Sequence, residues 1–217
     1  MRRRRGSLKE AKGQASRERI LEVAIRLFAH RGYGATSIAA ISKRAHIAAT
    51  AIYWHFGSKE GLLAASLERA ATSWTDEIYK RASSAHEASG RLDQLVAGIR
   101  EMIESQGDEL LLLLAVELQE RLLGEGVREA LRRIDERAVA YLVRGLEETL
   151  DRRVPGLDLA AETTLAHLRE IALRHRRNPD PALLDRRLQH LKEMIAAAVI
   201  SAVQHADTPP TDRGESP

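Results

Sequence analysis

TSIAAISKRAHIAATAIYWHFGSKEGLL, residues 36–63, is a stretch whose pattern predicts two short helices separated by a tight turn. Thr36 or Ser37 can cap the first helix, because their hydroxyls accept hydrogen bonds from free backbone N–H groups. A break near His46 separates it from the second helix, which runs from about Ala48 to His55. With a preceding helix packed on them, two such helices form a helix-turn-helix, whose second helix enters the major groove of DNA.

A longer helix precedes this stretch, from about Gln14 to His30. Its apolar residues recur at helical spacing, and Gly32 supplies a stop. Residues 1–13 are expected to form a basic flexible arm, and residues 14–57 a helix-turn-helix domain.

The rest of the chain is also helical by pattern, and residues 58–206 are expected to form one helical domain before a disordered tail at 207–217. No segment alternates apolar and polar residues as a strand does. The predicted fold class is therefore all-α, with an N-terminal three-helix helix-turn-helix domain, a helical C-terminal domain and about nine helices. Its last six helices are predicted at about 58–84, 91–106, 108–123, 125–150, 159–176 and 181–205.

Charge is distributed unevenly along the chain. Residues 1–60 hold 13 of the 34 Lys and Arg residues but only 4 of the 31 Asp and Glu residues, while the remainder is acidic. A basic segment on an acidic body is expected to meet a polyanion, either nucleic acid or an anionic membrane surface. The alternative is a solvated basic tail.

Composition excludes several classes of protein. With 44% hydrophobic and 30% charged residues the chain is expected to be globular, and without cysteine it has no disulfide or thiolate chemistry. No apolar run reaches the length of about 18 residues that a membrane span needs, and no export signal follows the N-terminal arginines. We find no nucleophile–base pair, phosphate-binding glycine loop or zinc spacing, and we expect no enzyme activity, metal or cofactor.

The block Tyr53-Trp54-His55-Phe56, followed by Ser58-Lys59-Glu60, resembles the N-terminal domain of the tetracycline-repressor (TetR) family. The resemblance runs in order from Arg19 to Leu63. It implies a homodimeric, cytoplasmic bacterial transcription regulator, usually a repressor. A small molecule bound in the C-terminal domain would release it from a near-palindromic operator in double-stranded DNA.

The resemblance also implies which residues meet DNA. Thr36, Ser37, Tyr53 and Lys59 would contact phosphates, and the second short helix would contact base edges. The candidate DNA-binding residues are Thr36, Ser37, Lys43, Arg44, His46, Ala49, Thr50, Ala51, Tyr53, Trp54, His55 and Lys59.

The sequence departs from the family pattern in the helix-turn-helix. His46 stands where the family usually has glycine at positive φ, Ala48 replaces the usual polar cap, and Thr50 replaces a common glycine. The second helix also has no Arg, Asn or Gln to make a bidentate base contact. Affinity is therefore expected to depend on phosphates and DNA shape, with Lys43, Arg44 or His46 reading from the side.

Two further sets of residues are candidates in the C-terminal domain. Each ligand candidate also has a plainer role, either packing or, for Glu117 and Arg121, an ion pair within one helix. The candidate ligand-binding residues are Trp74, Met102, Leu113, Glu117, Arg121, Tyr141 and His175. The candidate dimer-interface residues are Leu168, Ile171, Leu188, Leu191, Ile195, Val199 and Ala202.

Other functions remain open at this point. A DNA-binding protein without a small-molecule effector, architectural or constitutive, fits the weak second helix and the arginine-rich N-terminus. A helical protein on a membrane surface fits the N-terminus but not the acidic body. The expected partners are double-stranded DNA, a second copy of the chain and an unidentified small-molecule effector, without a membrane.

Overall fold

A computed structural model describes residues 2–83, 88–105, 107–117, 119 and 123–207. Within these ranges the chain forms nine helices and no strand, as an all-α fold requires. The helices are α1 (Arg2–Ala35), α2 (Ile38–Ala45), α3 (Ala49–Phe56), α4 (Lys59–Ser83), α5 (Ala88–Ser105), α6 (Asp108–Glu117), α7 (Glu125–Leu150), α8 (Leu157–Arg177) and α9 (Pro181–Asp207).

α1 begins at Arg2 and not near Gln14, so it includes most of the segment expected to be a flexible arm. Arg, Lys, Glu and Gln are strong helix formers, and a run of them suits a solvated helix as well as a tail. The predicted stop at Gly32 is present as a break, because Gly32 has φ 77° and ψ 163° inside the range of α1. Beyond residue 117, the predicted end of α6 near Leu123 falls mostly outside the described residues.

α2 and α3 have the ends that their sequences suggest. Ser37 is the cap of α2, and its Oγ accepts a hydrogen bond from the Ala40 N–H at 3.1 Å. His46 ends α2 in the left-handed region at φ 56° and ψ 39°, and its N–H donates to the Ser42 carbonyl. Ala48 gives α3 no side-chain cap. The C-terminal end of α3 is at Gly57, whose φ of 73° suits glycine, so only the N-terminal end of this helix relies on packing in place of a cap.

The chain divides into two compact units, which are described separately. The first consists of residues 1–76 and 102–136. Here α1 packs against α2, α3 and α6. One apolar cluster unites these helices with the start of α4, and burying each large side chain in it contributes about 1.5–3 kcal/mol. Its fully buried members include Ile20, Leu21, Phe28, Ile41, Ile52, Leu62, Leu63, Leu67 and Leu112.

Polar contacts at the edge of the first unit are exposed. His30 Nε2 lies 2.6 Å from Asp108 Oδ1, and Arg133 Nη2 lies 2.6 Å from Glu68 Oε1. Hydrogen bonding to Arg132 lowers the pKa of the Glu129 carboxyl. Exposed pairs of this kind contribute little to stability, so the apolar cluster holds the first unit together.

The second unit consists of residues 77–101 and 137–217, and α8 packs against α9 within it. Arg100 of α5 donates to Asp185 of α9 at 2.6 Å, and Lys192 of α9 pairs with Asp93. Four of the seven candidate dimer-interface residues are already buried in the single chain: Ile171, Leu188, Leu191 and Ile195.

Candidate nucleic-acid interface

Helix α3 has one buried face and one exposed aromatic face. Ile52 is completely buried in the apolar cluster, and Phe56 packs against it. On the opposite side the Tyr53 side chain is 52% exposed and that of Trp54 is 79% exposed. The His55 ring lies 4.7 Å from the Trp54 ring centroid and 5.8 Å from that of Phe56. An indole this exposed gains nothing from the core, so its place on the surface suits contact with another molecule.

In the sequence around this aromatic face, every charged residue is positive. No Asp or Glu occurs between Glu22 and Glu60, a stretch that includes all of α2 and α3. Lys43 and Arg44, in the last turn of α2, are exposed, and so is His46. Exposed cations beside an aromatic helix face favour a polyanion as the molecule that binds.

Lys59 lies in the first turn of α4, where the helix end is partly positive. Ser58 Oγ accepts the Gly61 N–H at 2.9 Å and so caps this helix. The Lys59 Nζ atom lies 4.2 Å from the centroid of the Tyr33 ring, within the range of a cation–π interaction. Burial, and secondarily the Glu60 carboxylate, raise the pKa of the Tyr33 hydroxyl, so this ring is neutral at physiological pH.

Glu60 reaches the start of another helix. A Cβ atom added at Gly124 would overlap the Glu60 carboxylate, so only glycine fits there without movement. The Gly124 carbonyl accepts hydrogen bonds from Val127 and Arg128, the first bonds of α7. The carboxylate therefore lies beside a helix N-terminus, where negative charge is stabilising.

Thr36 is a correction to the candidate DNA-binding set. Its side chain is 1% exposed, and its Oγ1 donates to the carbonyls of Leu27 and Gly32 at 3.2 and 2.8 Å. Both its burial and these bonds prevent a phosphate contact from this hydroxyl. A hydroxyl residue at a helix start predicts a cap, a phosphate contact or a buried turn equally well, and here the turn is found. Ser37, beside it, is exposed.

The remaining candidate DNA-binding residues on α3 differ in how exposed they are. Thr50 is exposed, Ala51 and His55 are half-buried, and Ala49 packs partly against the apolar cluster. Sequence reasoning missed Tyr33 and Glu60 as neighbours of the site. Gly32 predicts a helix stop, but no local sequence pattern indicates which residues the Tyr33 ring contacts after that stop.

The second unit has an open groove of about 410 Å³ between α8 and α9. Its described lining contains no Lys, Arg, Asp or Glu and is mainly apolar. Leu159, which is part of this lining, is 68% exposed. Three candidate dimer residues line this groove, and the other four do not. The lining is Pro155, Gly156, Leu159, Ala160, Thr163, Thr164, His167, Leu191, Met194, Ile195, Ala198, Ser201, Ala202 and His205.

The candidate ligand-binding residues are spread over both units. Met102, Leu113 and Glu117 are half-buried in the first unit, and Leu113 packs against its apolar cluster. In the second unit Tyr141 is half-buried, with the Arg144 guanidinium 5.0 Å from its ring centroid, and His175 is 4% exposed. The Trp74 side chain and Arg121 lie outside the described residues.

The described residues contain neither a cluster suited to a metal ion nor a helix suited to spanning a membrane. No group of three or more His, Asp or Glu residues there could hold a metal ion. No described helix combines the length and the apolar character needed to cross a bilayer.

The geometry defines the class of domain. Helix α1 packs against the two short helices α2 and α3, α3 exposes an aromatic face, and α2 exposes Lys43 and Arg44, which is the arrangement of a helix-turn-helix domain. Residues 20–66 match the family described as bacterial regulatory proteins, tetR family, so the helix-turn-helix region of the chain is similar to that family.

Curated relatives match part of the chain. The HTH-type transcriptional regulator AcrR of Shigella flexneri is 47% identical over 49 residues, 23% of either chain. The regulator ArpR of Pseudomonas putida, described as a probable one, is 35% identical over 82 residues. The matched part of the chain thus spans 23% and 37% of the lengths of these relatives.

Solved structures match nearly the whole fold. The reduced form of NemR from Escherichia coli has a TM-score of 0.70 at 19% identity, covering 82% of this chain and 96% of NemR. A protein from Saccharomonospora viridis in complex with choline has a TM-score of 0.67 at 24% identity, covering 84% of this chain and 96% of the other. At these identities the similarity shows the fold alone.

Proposed function

We propose that this protein is a homodimeric, sequence-specific DNA-binding transcription regulator of the cytoplasm, and that it acts as a repressor. The observation that carries the proposal is α3, which exposes Tyr53 and Trp54 beside a stretch of chain without acidic residues. Because α3 is anchored by Ile52, these side chains project from a fixed frame. The match of residues 20–66 to the tetR family of bacterial regulatory proteins supports the same function.

The proposed contacts divide into two kinds. Ser37, Tyr53 and Lys59 bind phosphates, which supplies affinity and orientation. Thr50 and Trp54 meet base edges, where methyl and ring contacts favour thymine. Lys43 and Arg44 reach the duplex from the side.

Dimerisation is proposed through the groove between α8 and α9. A largely apolar groove without Lys, Arg, Asp or Glu in its described lining, which includes the exposed Leu159, suits a second protein surface of the same kind. A symmetric dimer carries two copies of α3, and we propose that both bind one duplex. Half-sites would then lie about 34–36 Å apart, one turn of DNA, and the operator would be a near-palindrome.

An effector is proposed to bind in the C-terminal domain and to lower affinity for the operator. The solved structure from Saccharomonospora viridis holds choline, which supports a small molecule as ligand in this fold. The proposed ligand is small and largely apolar, and the candidate contacts predicted from the sequence are to be tested one by one, because they are divided between the two units. Titrating the operator complex with small apolar compounds, and separately with the cation choline, tests release.

A second candidate is a DNA-binding protein without an effector. It is favoured by the composition of α3, which has no Arg, Asn or Gln for a bidentate base contact. Such a protein would bind duplexes through phosphates with little preference between sequences.

Selection from random duplex DNA at physiological salt distinguishes the two. A Trp54→Ala variant is the matched control, because it removes the exposed ring and leaves Ile52 in place. The proposed function predicts an enriched near-palindrome with half-sites one turn apart, which the variant enriches poorly. Binding without any enriched motif would support the second candidate, and no binding would contradict both.

A further inference from the structure

The Lys59 ammonium has an aromatic partner in place of an acidic one. Among the described residues no carboxylate lies within ion-pair distance of Lys59, and its neighbour Glu60 is turned toward Gly124. The Tyr33 ring takes the place of a counterion, 4.2 Å from Nζ.

The chain directs Tyr33 to this place. Gly32 at φ 77° breaks the helical path of α1, and the next residue is Tyr33. The Tyr33 ring also packs on Phe28, with ring centroids 5.9 Å apart, and Phe28 is buried in the apolar cluster. The ring is therefore fixed from behind while its face meets the ammonium.

A ring and a carboxylate affect a lysine differently. A carboxylate would neutralise the ammonium and would have to be displaced before a phosphate could bind. A ring face attracts the cation but accepts none of its hydrogen bonds in the usual geometry, so charge and donors stay available. It also offsets the cost of placing a cation at the positive end of α4.

We propose that Tyr33 is the positioning residue for a phosphate contact by Lys59, holding the ammonium in place without neutralising it. This inference rests on the proposed function, in which the start of α4 meets the DNA backbone. Tyr33 itself touches no DNA in this account, and it acts only through Lys59.

A series of rings at position 33 tests the proposal. Tyr33→Phe keeps the ring face, and replacing Tyr33 with 3,4,5-trifluorophenylalanine keeps the shape but weakens the attraction for a cation. The expected result is operator affinity within about twofold of wild type for Phe, and about 2–5-fold weaker per protomer for the fluorinated ring.

Salt dependence separates positioning from mere folding. Tyr33→Leu should lower the slope of log affinity against log salt by about 1 per protomer, as loss of one phosphate contact does. Lys59→Gln should lower the slope equally, and in that background the ring series should no longer change affinity. If Tyr33→Leu does not fold, the Phe and fluorinated variants still decide the question.

Two results would overturn the inference while leaving the proposed function intact. One is a fluorinated variant that changes thermal stability but neither affinity nor salt slope. The other is a ring dependence that persists in the Lys59→Gln background. Failure of the wild type to bind any duplex would instead remove the proposed function, and this inference with it.

Discussion

The exposed face of α3 and the groove between α8 and α9 both leave apolar side chains outside the core, but their surroundings differ. Beside α3, Tyr53 and Trp54 are exposed in a stretch of chain with Lys43 and Arg44 and no acidic residue. The groove has apolar, hydroxyl and imidazole groups but no Lys, Arg, Asp or Glu in its described lining.

This difference indicates two kinds of partner. A polyanion binds more tightly to an aromatic surface that has cations at its edge, because binding releases counterions from the phosphates. A second protein surface binds better to a patch without charge, because charged residues are depleted at the centre of such contacts. The same property, exposed apolar area, thus suits DNA in one unit and a second copy of the chain in the other.

The largest expected effect comes from placing a charge in the groove. Ala198→Arg should convert the dimer to a monomer, because the guanidinium would be buried without a partner. Operator affinity should then fall more than about 100-fold, since two linked contacts become one. Sedimentation and fluorescence anisotropy measure the two effects.

Ala196→Arg is the matched control, on the same helix but exposed and outside the groove lining. It should leave both mass and affinity unchanged. A dimer that survives Ala198→Arg would mean that the groove is not the interface.

The next effect concerns how tightly the first unit is packed. Gly124→Ala should destabilise the fold by about 0.3–1 kcal/mol, because its Cβ would push the Glu60 carboxylate, the free end of a flexible side chain, away from the start of α7. In Gly145→Ala, within α7, the added Cβ meets nothing within 4 Å, and this variant should stabilise the fold by about 0.5–1 kcal/mol. Urea denaturation of both variants gives the comparison, and equal stabilities would show that the Glu60 contact is not tight.

Trp54→Ala should weaken operator binding by about tenfold, or 1.4 kcal/mol, without a comparable loss of stability. The ring is 79% exposed, so its removal should change the free energy of unfolding by less than about 0.5 kcal/mol. Fluorescence anisotropy measures the loss of operator affinity, and thermal melting measures the change in stability. A stability loss equal to the affinity loss would place Trp54 in the fold and not at the DNA.

The smallest effect is expected at the turn between α2 and α3. His46→Gly should stabilise the protein by about 0.5–1 kcal/mol, because glycine adopts the left-handed conformation at φ 56° without strain. Thermal melting measures it. A loss of stability would indicate that the imidazole makes a contact that outweighs its backbone strain.

Local patterns sufficed for much of the first unit. Helical spacing and turn residues predicted α2 and α3, and the left-handed turn at His46 follows from a position where glycine is expected. Thr36 was misassigned because one hydroxyl suits three different roles. The start of α1 was missed because charge patterns do not distinguish a solvated helix from a tail.

Contacts between distant residues could not be predicted. Tyr33 and Lys59 are separated by the whole helix-turn-helix, and Glu60 and Gly124 by two further helices. Only packing brings such pairs together, so no spacing rule applies to them. In the second unit, helical periodicity identified apolar faces but did not show that Leu188 and Ile171 are buried within one chain and not on its surface.

Acrylamide quenching of Trp54 fluorescence tests the central claim, that the exposed aromatic face of α3 is the surface that binds DNA. The chain has two tryptophans, so Trp74→Phe leaves Trp54 as the single reporter. Operator binding by this variant is first verified by anisotropy, and quenching is then measured with and without duplex. The account predicts strong quenching of the free protein and clear protection by the bound operator. Binding that leaves the quenching of Trp54 unchanged would contradict it.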